Sequence, residues 1–164
     1  MINYSIYISA ALLFCSLAAT AQPPPPRPIV VTAYPAQGMI FGAFFQGSSG
    51  GTVILYPDGS RASTGSLILA NLGYPYSPAL FEIDANVGTV VSIMNGPDAT
   101  LTGSNGGSIT LHLGAASTGS SFTTTIVSPS RTQVWIGGTL SVGSPLANPS
   151  GSYSGTFSVT FIQQ

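Results

Sequence analysis

Short apolar runs separated by turn residues fill the sequence from Met39 to its end. The runs are rich in Val, Ile, Thr, Phe and Tyr, which favour strands, and Gly, Asn and Pro occupy the turns between them. The predicted strands are Met39–Phe45, Thr52–Tyr56, Ser66–Asn71, Ala79–Ala85, Thr89–Met94, Ala99–Thr102, Ser108–Leu113, Phe122–Val127, Gln133–Val142 and Ser152–Ile162. This spacing, without helical periodicity, predicts an all-β fold, an antiparallel β-sandwich.

Alternation within these runs predicts which side chains face the core. In Ser152–Ile162, Tyr153, Phe157, Val159 and Phe161 share one face, while Ser and Thr occupy the other. Ile109, Leu111 and Leu113 alternate in the same way with Thr110 and His112. Successive strand residues point to opposite faces, so the solvent-facing surface is expected to be built from hydroxyl groups.

The first 21 residues have the pattern of a signal peptide. An apolar stretch from Ile6 to Ala19 leads into Ala19-Thr20-Ala21, an A-x-A cleavage site before Gln22. We expect export to the periplasm or the outer cell surface. A retained or lipid-anchored segment is the alternative, with Cys15 as the acylated residue, although Phe14 stands where a small residue is required.

Residues 22–35 form a proline-rich extension before a sandwich domain at 36–164. Gln22–Pro28 predicts a stiff polyproline spacer, and Ile29–Tyr34 is a short β-prone run closed by Pro35. Two interpretations of this run remain open. It is either the first strand of its own domain or a donor strand inserted into a neighbouring copy, with Ile29, Val31 and Ala33 as the inserted row.

Composition narrows the possible functions. Only 4% of the residues are charged, with three Lys or Arg, four Asp or Glu and one His. So few cations exclude an electrostatic nucleic-acid binder, and so few titratable groups disfavour an enzyme. Cleavage after Ala21 would remove the single cysteine, leaving no disulfide. A surface poor in charge and without Lys at its strand edges is poorly protected against association, which suits an assembling protein.

Trp135 is the side chain that most resembles a ligand contact. Val134 and Ile136 are predicted to face the core, which places Trp135 on the other face beside Gln133 and Arg131. An exposed Trp could stack on a sugar or anchor a protein partner. The alternative is a Trp that caps the edge of the sandwich.

The remaining ionisable residues are predicted to be ordinary surface groups. Glu82 and Asp84 are expected to be solvated charges on one strand face, and His112 a surface histidine. Asp58 and Asp98 occupy Pro-Asp-Gly and Pro-Asp-Ala contexts, where an Asp side chain bonds its own backbone. The sequence therefore predicts no catalytic residue, metal site or cofactor.

Several motifs resemble a known family. They are Ile40-Phe41-Gly42-Ala43-Phe44, Gly50-Gly51-Thr52-Val53, Pro57-Asp58-Gly59-Ser60-Arg61, Ser63-Thr64-Gly65, Gly137-Gly138-Thr139-Leu140-Ser141-Val142 and the closing stretch Gly151–Thr160. Over Ile29–Phe161 the chain resembles a bacterial family of secreted proteins classed as a domain of unknown function, similar to the spore coat U domain of pilin-like proteins. The resemblance implies an immunoglobulin-like, pilin-like sandwich at the cell surface and supplies no catalytic residues. Spore coat U relatives usually carry cysteines, which the mature chain lacks.

These observations predict a secreted, non-enzymatic structural or adhesive protein of the cell surface, assembling as a fimbrial-type subunit by strand addition. Its partners would be further copies of itself or other surface subunits, with no nucleic acid and no membrane span after cleavage. The alternative is a monomeric secreted module that binds a glycan or a protein.

Overall fold

The computed structural model describes residues 27–33 and 38–164, where every strand pairing is antiparallel. The strands are β1 (Val30–Ala33), β2 (Ala43–Gln46), β3 (Gly51–Leu55), β4 (Arg61–Ser63), β5 (Leu67–Ala70), β6 (Ala79–Asp84), β7 (Val90–Asn95), β8 (Ala99–Gly103), β9 (Ser108–Ala116), β10 (Ser121–Thr123), β11 (Thr132–Val142), β12 (Tyr153–Ser154) and β13 (Val159–Gln163). The all-β prediction is confirmed. Within these ranges no helix has the length and apolar character needed to cross a membrane. The predicted leader, 1–21, lies outside the described residues.

An eight-stranded sheet forms one layer, and the long strand β11 organises it. The main order is β1-β6-β11-β9-β8-β12, with β3 also paired to β11 and β4 paired to β3. The first half of β11 pairs with β6 and the second half with β3, both along the same edge. Gly137 lies at the change of partner, where a Cβ atom would come within 2.3 Å of the Leu55 carbonyl oxygen. Glycine is therefore required where the neighbouring strand crosses so closely.

Two smaller sheets, β10-β7-β13 and β2-β5, pack on the large sheet. Two apolar clusters join the layers. In one cluster Leu55, Leu111 and Leu140 of the large sheet pack with Phe41 and Leu67. In the other, Ile83, Val134 and Ile136 pack with Val91, and partly buried Phe122 and Phe161 add to them. Burial of these side chains is the main source of stability that the structure displays.

The last predicted strand is divided between the two layers. Ser152–Ile162 was expected to be one strand, but β12 pairs with β8 in the large sheet and β13 pairs with β7 in a small one. At Gly155 between them, a Cβ atom would lie 2.6 Å from the Thr100 carbonyl oxygen. The predicted alternation survives the break, because Tyr153, Phe157, Val159 and Phe161 are all partly buried against the core.

Further boundaries differ from the sequence prediction. The predicted strand Met39–Phe45 is paired as a strand only from Ala43, as β2. The short polar strand β4 was not predicted, since its sequence Arg-Ala-Ser lacks an apolar row. The predicted strand Phe122–Val127 is paired only over Ser121–Thr123. Thr124, the next residue, is buried, and the chain becomes exposed after it, with Val127 71% exposed.

The outer face of the large sheet is lined with hydroxyl groups, as the alternation predicts. The register aligns Thr52, Ser141, Thr110 and Thr100 in one row across β3, β11, β9 and β8. Three of these four residues are exposed, and Thr52 is half-buried. Neighbouring strands lie about 4.8 Å apart, so the hydroxyls form a regular uncharged array.

Candidate functional site

Strand β1, the candidate for strand exchange, lies at the edge of the large sheet. It pairs with β6 through four residue pairs, with Val31 opposite Ile83 and Ala33 opposite Phe81. Val31 and Ala33 therefore share the core-facing side of the sheet with two core residues. The edge position nevertheless leaves Val30 53% and Val31 40% exposed. Of the predicted inserted row, Ile29 is the residue that packs on the apolar cluster.

Polar contacts fix the start of β1 to both layers. The Arg27 guanidinium donates to the Asp84 carboxylate at 2.5 Å, on β6 of the large sheet. The Ile29 amide donates to Oε1 of Gln163 at 3.2 Å, and Gln163 Nε2 donates to the Arg27 carbonyl at 3.5 Å. Gln163 belongs to β13, so one side-chain amide joins the N-terminal strand to the small sheet. Sequence reasoning did not identify Gln163, because the contact spans almost the whole chain.

Arg131, Gln133 and Glu82 form a polar cluster on the outer face beside β1. Arg131 donates to Glu82 Oε2 at 3.4 Å and to the Thr32 hydroxyl at 3.4 Å, and Gln133 Nε2 donates to Glu82 Oε1 at 3.3 Å. The side chains of Glu82 and Asp84 are only 17% and 18% exposed. The prediction that they are solvated charges is therefore wrong, since Arg27 and Arg131 bind these carboxylates.

Trp135 lies on the same outer face as Gln133, as predicted, but it is only partly exposed. Its register partner is Leu80 of β6, an outward-facing residue that is nonetheless 5% exposed. The Trp135 amide donates to the Ser117 hydroxyl at 3.0 Å. Because Trp135 adjoins a covered leucine on this face, its position favours the capping interpretation over a fully presented ligand contact.

Arg61 has a role that the sequence did not reveal. Its guanidinium donates to the carbonyls of Phe41 at 2.5 Å, Ala43 at 3.2 Å and Ala70 at 3.4 Å. It also stacks on the Tyr76 ring, 4.3 Å from the ring centre. Arg61 therefore joins β4 to one end of the β2-β5 sheet and fixes the base of the loop before β6.

His112 and the aspartates behave as surface groups. His112 Nδ1 lies 2.6 Å from Asp98 Oδ1, and both side chains are more than half exposed. Asp98 thus bonds a neighbouring strand, whereas its own backbone was the predicted partner. Asp58 does form the predicted turn, accepting from the Ser60 hydroxyl at 2.6 Å and the Ser60 amide at 2.8 Å. Both bonds lower the pKa of Asp58, and the bond from the Ser60 hydroxyl has the larger effect.

No metal centre emerges in the part of the chain that the structure describes. There, no group of three His, Cys, Asp or Glu side chains is arranged to hold an ion. Two features stand out, an edge strand that pairs with one neighbour and an exposed loop whose base is fixed by Arg61.

Comparison with known proteins gives a single result. Searches of the curated proteins and of the solved structures found no match. The family model described as a domain of unknown function, DUF4402, matches residues 31–162, from within β1 to within β13. This match does not address the likeness to spore coat U and pilin-like domains, which stays a prediction. Since it covers well over half of the sequence, the chain belongs to the DUF4402 family.

Proposed function

We propose that this protein is a secreted, non-enzymatic structural or adhesive subunit of the cell surface that assembles by exchanging strand β1 between copies. The observation that carries the proposal is the attachment of β1. It pairs with a single strand, through four residue pairs, and its two valines remain 40–53% exposed. Leaving its own sheet would break one ladder and the contacts of Arg27 and Ile29, and the sheet of a neighbouring copy offers the same contacts again.

Exchange would preserve the contacts that hold β1. A neighbour's strand can occupy the same edge of β6, with Arg27 on Asp84 and Ile29 on Gln163, because β6 has no other partner on that edge in the described residues. Domain swapping of this kind is a low-cost route to oligomers, since the exchanged contacts equal the original ones. Repeated from copy to copy, it produces a fibre.

Features of the whole chain support the same function. The outer face is a hydroxyl array, and 4% charged residues provide little repulsion between copies. The two small sheets end in the edge strands β13 and β2, which offer further unpaired backbone for strand addition. The signal-peptide pattern supports export, and the two-layered antiparallel arrangement is compatible with an immunoglobulin-like, pilin-like sandwich.

A disulfide trap tests the exchange directly. Thr32 and Glu82 face each other in the register, and paired residues of adjacent strands have Cα atoms about 4.5–5.5 Å apart, within the range of a disulfide. In a C15S background, the T32C/E82C variant would oxidise between copies if β1 is exchanged. The control is M94C/T160C, which pairs exposed residues on β7 and β13 inside the domain.

We expect a ladder of covalent multimers from T32C/E82C on a non-reducing gel, and monomers from M94C/T160C. The ladder should collapse to monomer on reduction. Light scattering and negative-stain microscopy of the unmodified protein should then show oligomers or filaments at micromolar concentration. Covalent monomers from both variants, in protein whose thiols are fully oxidised, would contradict strand exchange.

A further inference from the structure

An exposed apolar surface lies on the β2-β5 side of the molecule. The loop between β5 and β6 carries Leu72, Tyr74 and Tyr76, which are 60%, 64% and 46% exposed. On the outward face of the adjoining sheet, Phe45 pairs with Ile68, and they are 58% and 67% exposed. We call these five residues the tyrosine surface. A concentration of large exposed apolar side chains such as this one marks an interaction site.

The base of this surface is held firmly. Tyr76 stacks beneath the Arg61 guanidinium, 4.3 Å from its ring centre, and Arg61 is itself bonded to the Phe41 carbonyl. Gly42 lies so close that a Cβ atom there would be 3.3 Å from Tyr76 Cβ and 2.6 Å from an Arg61 nitrogen. The Tyr76 ring is therefore presented with little conformational entropy left to lose on binding.

The surface is uncharged, which restricts its partner. Residues 71–76 contain no ionisable group except the two tyrosine hydroxyls, and Arg61 directs its N–H groups to backbone carbonyls. Tyrosine-rich surfaces bind proline-rich segments, whose rings pack on aromatic rings and whose extended conformation is already formed. The chain itself contains such a segment, Gln22–Pro26, which we call the proline arm.

We propose that the proline arm of one copy docks on the tyrosine surface of a second copy. The arm ends next to Arg27, which binds Asp84 at the end of β6. The loop between β5 and β6, which carries Tyr74, joins β6 at the opposite end of that strand, Ala79. From Asp84 back to Ala79 the strand extends about 17 Å at 3.3 Å per residue. Tyr74 lies five residues before Ala79, in the loop that leads into this end of the strand. If the arm adopts the polyproline conformation that its sequence predicts, its five residues would span about 15 Å without reversing direction and would fall short of the tyrosine surface of the same copy. The contact adds a second interface to the proposed assembly, but it does not depend on strand exchange.

The contact can be measured with a peptide. An acetylated peptide with the sequence of Gln22–Arg27 is titrated into the exported protein and followed by calorimetry and by amide NMR shifts. We expect saturable binding, with shifts confined to residues 42–46 and 66–78. The variant L72S/Y74A should bind at least tenfold more weakly, roughly the loss on truncating an aromatic anchor. V127A removes a side chain that is 71% exposed elsewhere and should bind like the native protein.

A second experiment tests the arm in the intact chain. Replacing Pro24 and Pro25 with glycine (P24G/P25G) should shift sedimentation toward smaller species and leave the circular dichroism spectrum unchanged. Peptide affinity that is equal in native protein and in L72S/Y74A, or no binding at millimolar peptide, overturns the proposal. The two experiments distinguish a failure of the strand-exchange proposal from a failure of the arm-docking proposal. Without strand exchange, T32C/E82C gives no ladder but the peptide still binds, whereas without arm docking the ladder forms and the peptide does not bind.

Discussion

Replacing Arg61 with methionine tests the claim that one guanidinium joins β4 to the end of the β2-β5 sheet. Methionine keeps much of the aliphatic stem and removes the N–H groups. The shortest hydrogen bond that this change removes is the 2.5 Å bond to the Phe41 carbonyl, and the bonds to Ala43 and Ala70 are longer, at 3.2 and 3.4 Å. A hydrogen bond to a charged group contributes about 1.5–3 kcal/mol, and stacking on Tyr76 adds about 0.5–1 kcal/mol. R61M should therefore lower the free energy of unfolding by about 2–4 kcal/mol.

Urea denaturation followed by circular dichroism measures this loss. With a slope of about 2 kcal/mol per molar, the midpoint should fall by about 1–2 M. The matched control is R131M, because Arg131 is 37% exposed and its bond to Glu82 is 3.4 Å long. A surface ion pair of this kind is worth about 0–1 kcal/mol. An R61M midpoint no lower than that of R131M would refute the structural role assigned to the guanidinium.

Three further predictions concern packing, buried polarity and pH. G137A should destabilise the protein by about 3 kcal/mol or more in the same urea assay, because the new Cβ would lie 2.3 Å from the Leu55 carbonyl oxygen. Stability equal to that of the native protein would show that the strands can move apart there. N148A should cost about 2–4 kcal/mol, since the buried Asn148 amide accepts from the Gly143 amide and donates to the Ser108 carbonyl, and a loss under 0.5 kcal/mol would contradict this. S60A should raise the pKa of Asp58 in an NMR titration, because the Ser60 hydroxyl favours the ionised carboxylate. The turn that Asp58 stabilises should weaken as the pH falls through that lowered pKa, and an unchanged titration in S60A would exclude the hydroxyl as the cause.

Alternation along single strands was sufficient to predict much of the core. Ile109, Leu111 and Leu113 are 2–5% exposed, while Thr110 and His112 between them are exposed, as their period of two requires. That pattern depends only on the geometry of one strand. It also continues unbroken through Ser152–Ile162, so it could not reveal that the chain changes sheets there. The change depends on which strand lies alongside, a long-range property.

The surface features were harder to predict for a related reason. Arg61 follows a Pro-Asp-Gly-Ser turn, a context in which an arginine is usually solvated. Its guanidinium has hydrogen-bond partners because the fold brings the carbonyls of Phe41, Ala43 and Ala70 next to β4. The exposure of Val30 and Val31 has a similar origin, because a β-prone sequence does not state whether its strand lies in the middle or at the edge of a sheet. Tyr74 and Tyr76, in a short Gly-Tyr-Pro-Tyr turn, were a signal that sequence reasoning could have used.

The bond between Gln163 and Arg27 has a mechanical consequence. It places the beginning of β1 beside the end of β13, so a force that separates these two points pulls across the strands. Such a force opens backbone bonds one after another, as in peeling, and a single domain stretched in this way should yield easily. If β1 is instead inserted in a neighbour, and tension along the fibre runs parallel to the strand, the hydrogen bonds of the strand are loaded together in shear. Strand exchange would thus turn an edge attachment of the isolated domain into a joint that resists pulling.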